Sequence, residues 1–315
     1  MIAPPLECTT TLPQRAPCEH IAGNEKFVLK AFEAQQRHIG AHGRSLVDVT
    51  LDLEDGAPVG SEDPLRHLFV NLLTSNHNVC RQVGVRVHPV DSEHFWRDLQ
   101  VLLEGAAEYI SYVTIPKVRS VRDVRWTLGL IEHAKAKRAP HHRIALHLLI
   151  ETPEALASLP DLAAIPEVET LDFGLMDYIS QLGGAIPASC MRSPGQFDHH
   201  LLRSAKTTIT QAALAANKIP SHNVTVDVRD PERAYHDAFK ARHEFGFLRM
   251  WSIHPGQIEP IIRGMTPSQD EIAEAKEIID AAQAASWGPI EVKGRLHDRA
   301  SYRYYWGVLS QSGNV

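Results

Sequence analysis

Short apolar, β-branched runs alternate along this chain with longer stretches of helical spacing. The run Cys18-Glu-His-Ile-Ala-Gly-Asn24 predicts a first strand, and Glu25-Lys-Phe-Val-Leu-Lys-Ala-Phe32 has the period of a helix. Leu46 to Asp55 predicts a buried strand that closes on acids. Val83–His88 predicts another, with Arg86 set among valines, and residues 91–103 a helix. Tyr109–Lys117 reads as a strand stopped by Pro116, and Ser120 as the N-cap of a helix reaching Lys137. Ile144–Ile150 and Glu169–Phe173 are the next two strands, with a helix over 153–164 between them. A longer helix follows over 196–216, where Leu202, Ala205, Ile209 and Ala213 trace one apolar face. Asn223–Val228 predicts the seventh strand, Asp230-Pro231 opens a helix ending near Gly246, and Met250–His254 is the eighth strand.

Eight such alternations predict an α/β fold of the (β/α)8 TIM barrel type. No G-x-G-x-x-G or P-loop sequence opens any helix, which removes the dinucleotide and nucleotide-triphosphate folds from consideration. The expected organisation is an irregular, proline-bearing arm over 1–17, a barrel over 18–265, and a C-terminal helix and tail over 266–315. Ser268 and Glu271 form a capping box for that helix. Tyr302, Tyr304, Tyr305 and Trp306 make the tail too aromatic to stay solvated, and a neighbouring subunit is its expected docking place.

Composition narrows the function classes. The 315 residues are 43% hydrophobic and 22% charged with a net charge of −6, which gives no basic field for nucleic acid or an anionic membrane. No apolar run is long enough to span a bilayer, and the expected location is cytoplasmic. Cys8, Cys18, Cys80 and Cys190 show no C-x-x-C spacing and read as free thiols. The pairs His141-His142 and His199-His200 lack H-E-x-x-H spacing and read as solvated surface.

Chemistry is expected where barrels place it, at the C-terminal strand ends. There the sequence sets Asp52, Glu54, Asp55, Arg86, Lys117, Glu151 and Asp177. Glu151 and Asp177 each follow an apolar run directly, and all-oxygen donors of this kind suit Mg²⁺. Lys117 is open to two readings, an ion pair or a Schiff-base nucleophile. His254-Pro255 is expected to shape the loop after the last strand.

Several motifs carry a family resemblance. Val49-Thr-Leu-Asp-Leu-Glu-Asp-Gly56, Gly84-Val-Arg-Val-His-Pro89, Ile115-Pro-Lys117, Leu149-Ile-Glu-Thr152, Phe173-Gly-Leu-Met-Asp177 and Ile253-His-Pro-Gly-Gln257 occur in order. Over residues 18–300 this arrangement resembles the HpcH/HpaI aldolase and citrate lyase β-subunit family. The resemblance implies a metal-dependent barrel, a homo-oligomer built as a trimer or dimer of trimers, that makes or breaks carbon–carbon bonds beside a carbonyl. It implies Glu151 and Asp177 as Mg²⁺ ligands and Arg86 as the cation for a substrate carboxylate or enolate oxygen. Glu54 and Lys117 fall with Arg86 among the expected substrate-binding residues, and Asp55 with the catalytic ones. Lys293-Gly-Arg-Leu-His-Asp298 resembles the family's final motif, and Asp298 is then an acid or base acting across a subunit boundary.

The chain departs from the family pattern at Ala22-Gly23, at His88, at Asn223 and at Arg249-Met250. These departures are expected around the substrate and CoA mouth, with CoA near Arg249. The function implied is Mg²⁺-dependent cleavage of a 3-hydroxyacyl-CoA thioester to an acyl-CoA and a 2-oxo acid. Two alternatives stand beside it, an aldolase on free hydroxy-oxo acids without CoA and a non-catalytic barrel serving as a binding or assembly subunit.

Overall fold

The computed structural model describes residues 14–58 and 60–312, so the expectations for residues 1–13, Cys8 included, lie outside the described residues. The chain divides into two compact units, one of Arg15–Met265 and one that contains the segment from Thr266 onward. No helix among the described residues is long and apolar enough to cross a membrane. Cys18, Cys80 and Cys190 are free thiols, as expected.

The larger unit is a closed parallel barrel of eight strands in sequence order. They are β1 (Cys18–Ala22), β2 (Val47–Asp52), β3 (Val83–Arg86), β4 (Tyr112–Ile115), β5 (Ala145–Ile150), β6 (Val168–Phe173), β7 (Ile219–His222) and β8 (Arg249–Ser252). Cys18 pairs with Met250, so β1 joins β8 and no sheet edge remains. Helices cover the outside. Glu25–His42 starts at Asn24, whose side chain accepts from the Phe27 N–H at 3.0 Å, and buries Val28, Ala31 and Phe32 on the sheet. Glu62–Thr74 does the same with Leu65, Phe69, Leu72 and Leu73.

The seventh strand corrects the sequence reading. It is Ile219–His222, in register with Leu171 and Asp172 of β6, and not Asn223–Val228. Pro220 lacks an N–H and hides the true strand. The alternating valines of 224–228 imitate one, yet Val228 N–H bonds back to Val226 and both side chains are substantially exposed.

Inside the barrel the inward positions near the strand starts are polar. Arg249 opens β8, and its Nη2 lies 2.8 Å from Glu19 and 2.9 Å from Asp48, all three fully buried. Arg249 therefore pairs with two interior carboxylates at the N-terminal end, which removes it from the CoA mouth where it was expected. Tyr112 stacks on His147 with ring centroids 3.8 Å apart, and its hydroxyl shares a hydrogen bond of 2.8 Å with Thr50. Arg15, just before β1, reaches Glu169 of β6 at 2.8 Å. Burial raises the carboxyl pKa of Glu19, but the Arg249 charge and the neighbouring His147 ring, 3.7 Å away, outweigh it and leave it at about 2. Burial likewise opposes ionisation of Glu169, and the His147 bond with the His147 and Arg15 charges brings it to about 2.

The smaller unit holds the helix Gln269–Ala284, with the capping box of Ser268 and Glu271 in place. After it come an antiparallel hairpin of β9 (Ile290–Val292) and β10 (Arg295–His297) and a final helix, Arg299–Ser312. The aromatic tail is thus helical. Tyr302 is fully buried against Ile278, Ile279 and Leu309 of its own unit, while Tyr304 stays exposed.

The buried Arg249 knot predicts that Arg249→Leu, which strands Glu19 and Asp48 without their cation, costs about 3–5 kcal/mol, measurable as a lower urea midpoint. Glu19 and Glu169 hold folded pKa values of about 2, below the unfolded ~4.3. Their contribution is complete above roughly pH 5 and is lost as pH falls toward 2. The urea midpoint should drop across that window, and drop less in Glu169→Gln.

Candidate active site

Asp52 ends β2 and Arg86 ends β3 as its register partner, so the two side chains leave the barrel mouth side by side. Arg86 donates from Nε to Asp52 Oδ1 at 2.7 Å and from Nη2 to Oδ2 at 2.6 Å, a bidentate pair. Its Nη1 lies 3.0 Å from Glu54 Oε2. Asp52 also accepts the backbone N–H groups of Glu54 at 3.0 Å and Gly56 at 2.9 Å. A Cβ at Gly56 would stand 2.3 Å from Asp52 Oδ2, so the turn over this carboxylate needs glycine. Asp52 is a positioning group for Arg86, and burial does not discharge the guanidinium because Asp52 and Glu54 hold its pKa up.

Lys117 follows β4 with φ of 50°, the left-handed region. That conformation costs roughly 1–2 kcal/mol for a side-chain-bearing residue. In return the Lys117 N–H donates to Glu151 Oε1 at 2.6 Å. Its ammonium bonds Glu54 and sits 3.3 Å from Asp55 and 3.8 Å from Asp177. Burial works against that charge, yet the Glu54 bond and the Asp55 and Asp177 charges raise its pKa above the ordinary lysine value. The geometry is that of an ion pair, and a Schiff base would need the free amine.

Glu151 ends the β5 run and is 3% exposed. The next helix is capped by Thr152, which accepts the Ala155 N–H at 3.1 Å, so Glu151 is not spent as a cap. A Cβ at Gly174, just after β6, would fall 2.2 Å from Glu151 Oε2, so this glycine makes room for the carboxylate. Asp177 stands in the first turn of the helix Leu175–Gln181. Burial, then repulsion by Asp177 and Glu54, push the Glu151 carboxyl up to about 8, against the Lys117 N–H and Arg86. The anionic form of Glu151 is thus short of positive charge, which is the condition a bound cation relieves. Among the described residues no group of three His, Cys, Asp or Glu side chains forms a metal cage. A hard cation on Glu151 and Asp177 would draw its other oxygens from substrate and water, a coordination habit that suits Mg²⁺.

Asp52, Asp55, Arg86, Glu151 and Asp177 line one cavity of about 360 Å³ at this mouth. All five are strand-end residues of the sequence reading, and the fold brings them to one place. Glu54 and Lys117, expected on substrate, do not line it; they brace Arg86, Asp55 and Glu151 from behind. Asp298 belongs to the smaller unit, where it is exposed and accepts the Ala300 N–H at 2.9 Å at the start of the last helix. Of the departures from the family pattern, Ala22-Gly23 and Asn223 line the cavity. His88 does not: its backbone N–H and Nδ1 both engage buried Asp98, at 2.9 and 2.7 Å. His254 accepts the Gly256 N–H at 3.1 Å and packs edge-on to Phe27, the loop-shaping role expected.

Two contributors, Trp251 and Gln196, escaped the sequence reading. Trp251 forms the apolar floor with Ile21 and Leu149 and donates from Nε1 to Asp172 at 3.1 Å. Its strand period was the available signal, since every second residue of β8 faces inward. Asn223 is held from behind by Gln196, whose place in a distant helix no local pattern announces.

A closed parallel barrel with crowded carboxylates and a clamped arginine at its C-terminal mouth defines the class, that of a (β/α)8 barrel enzyme. Residues 34–255 match the family model described as HpcH/HpaI aldolase/citrate lyase, and the chain belongs to that family. It is 28% identical over 282 residues to the L-malyl-CoA/beta-methylmalyl-CoA lyase of Rhodobacter capsulatus, covering 84% of this chain and 86% of the relative. It is similar to the crystal structure of a citrate lyase from Burkholderia xenovorans LB400, at 46% identity and a TM-score of 0.86, over 96% of this chain and 93% of the other. The protein CitE from Mycobacterium tuberculosis, solved with magnesium, acetoacetate and coenzyme A, has a TM-score of 0.69 over 95% of this chain and 98% of its own. At 22% identity that last likeness is one of fold.

The Asp52 clamp predicts that Asp52→Ala, which leaves a buried guanidinium underpaired and two backbone N–H groups open, costs about 3–5 kcal/mol. Urea denaturation of the purified variant checks it.

Proposed function

We propose that this protein is a magnesium-dependent carbon–carbon lyase that cleaves a 3-hydroxyacyl-CoA thioester into an acyl-CoA and a 2-oxo acid. The observation that carries the proposal is Glu151, a buried carboxylate crowded by Asp177 and Glu54 beside the clamped Arg86. Relatives named as malyl-CoA and citramalyl-CoA lyases support the thioester substrate. In the cleavage the C3 hydroxyl loses its proton and becomes the 2-oxo group as the C2–C3 bond breaks. The electron pair stays on the thioester fragment as an enolate, which then takes a proton at carbon.

Glu151 and Asp177 would hold Mg²⁺, which when bound supplies positive charge to the oxygens of the oxo acid. Arg86 orients the substrate anion and balances the charge that develops on the enolate oxygen; Asp52 fixes its plane. Lys117 keeps Glu54 and Asp55 in place and gives its N–H to Glu151. Asp55 at the mouth and Asp298, brought by a neighbouring copy in a homo-oligomer, are the groups that take and return the proton. The apolar floor excludes water from the nascent enolate.

The test is cleavage of malyl-, citramalyl- and citryl-CoA with and without MgCl₂. Glu151→Gln is expected to abolish metal-dependent cleavage while keeping the wild-type circular dichroism spectrum, and full activity in that variant would refute the assignment. Arg86→Ala is expected to lower kcat by about 10²–10³. Mixing inactive Asp298→Asn with inactive Glu151→Gln should restore activity when Asp298 acts across a subunit boundary. Turnover confined to free hydroxy-oxo acids would instead select the aldolase reading.

A further inference from the structure

The cavity has two chemically distinct parts. The charged part is crowded with carboxylates. Asp52, Asp55, Glu151 and Asp177 on its wall and Glu54 behind them face, among the described residues, only two side-chain cations, Arg86 and Lys117, so the fully ionised cluster is three charges negative. One divalent ion leaves it still one short of neutral. Among the described residues that line the cavity, Arg86 is the only lysine or arginine, and three of its N–H groups are already given to Asp52 and Glu54. There is positive charge here for one substrate carboxylate and none for a second.

The remaining part is uncharged. Ile21, Leu149 and Trp251 form an apolar cluster apart from the main core, with Val224 packed against it, and all four line the cavity. The one polar side-chain group set into this part at β7 is Asn223, which is 3% exposed. Its orientation is fixed from outside the barrel. Asp237 accepts from Ser193, Thr225 and Gln196, the last at 3.2 Å, which turns the Gln196 amide so that its Oε1 accepts from Lys206 at 3.1 Å and from Asn223 at 2.9 Å. Asn223 Nδ2 also donates to Val224 O at 2.9 Å. Both of its hydrogens are therefore used, and Oδ1 has no hydrogen-bond partner among the described residues. Oδ1 is itself closed to solvent, so with both amide hydrogens spent Asn223 offers no hydrogen-bond donor to a second carboxylate.

We infer that the 2-oxo acid released at this site carries a single carboxylate and an uncharged, largely apolar remainder. The remainder rests on Ile21, Leu149 and Trp251, and a wall with neither a free amide donor at Asn223 nor a second lining cation excludes a dicarboxylate. This rests on the lyase reading and narrows its substrate to hydroxyacyl thioesters with one free carboxylate. Val224 becomes a specificity-determining residue, since a cation at that position would supply what the wall lacks.

The test is calorimetric titration of the intact protein in MgCl₂ with 2-oxobutyrate and with oxaloacetate, which share a four-carbon chain and differ by one carboxylate. The expected result is at least about 10-fold tighter binding of 2-oxobutyrate, with Val224→Lys shifting the ratio toward oxaloacetate by a similar factor. Equal or tighter binding of oxaloacetate by the wild-type protein overturns this inference and leaves the lyase reading standing. Binding of neither acid, with Mg²⁺ present, overturns both. An unchanged ratio in folded Val224→Lys removes Val224 from the wall that selects.

Discussion

Carboxylates collected at one barrel mouth repel one another, and the organisation of this site follows from how that repulsion is managed. Arg86 is gripped by both oxygens of Asp52 and reaches on to Glu54. Lys117 takes the other side of Glu54. With these pairs made, Asp52 and Glu54 are compensated while Glu151 and Asp177 are not, and the deficit is concentrated where a cation is useful. The raised pKa of Glu151 expresses the same fact from the side of the proton. Had the cations been shared evenly among the carboxylates, the site would be more stable and less able to bind a metal.

The backbone is recruited to the same end. Lys117 accepts a left-handed conformation, and Gly56 and Gly174 give up their side chains, so that two carboxylates fit against main chain. Below the mouth the barrel repeats the theme with different consequences. There Arg249 pairs with both Glu19 and Asp48 in the protein interior, and the apolar layer of Ile21, Leu149 and Trp251 lies between the two charged levels as a floor. A barrel with a charged interior needs such a layer, because water passing between the levels would screen both.

Much of this was legible in the sequence because parallel barrel strands are buried on both faces and read as apolar runs ending in a functional residue. That rule located Arg86, Glu151 and Asp177 and the family motifs around them. It failed where chemistry and pattern disagree. Pro220 disguised β7, and the valines of 224–228 supplied a counterfeit. Arg249 and His88 were set at the mouth by their place in motifs, but a strand has two ends and two faces. Arg249 sits at the other end, and His88 turns to Asp98. The final helix from Arg299 was read only as aromatic surface, since Tyr302 and Leu309 bury against a helix that precedes them by a hairpin.

Asn223 shows why the remainder could not be read. An asparagine after a strand says nothing by itself about whether its amide hydrogens are free for a substrate. The answer is set by a carboxylate on one helix, Asp237, acting through the amide of Gln196 on another, with buried Lys206 fixing the second lone-pair direction. Placing an aspartate at 223 would set a carboxylate against the Gln196 carbonyl oxygen, which cannot turn away without abandoning Asp237. The residue type at the cavity wall is therefore dictated from outside the barrel, by side chains that no substrate touches. Specificity in this chain is written partly in the layer between strand and helix, and it becomes visible only when the hydrogen-bond donors and acceptors of that layer are counted to the last atom.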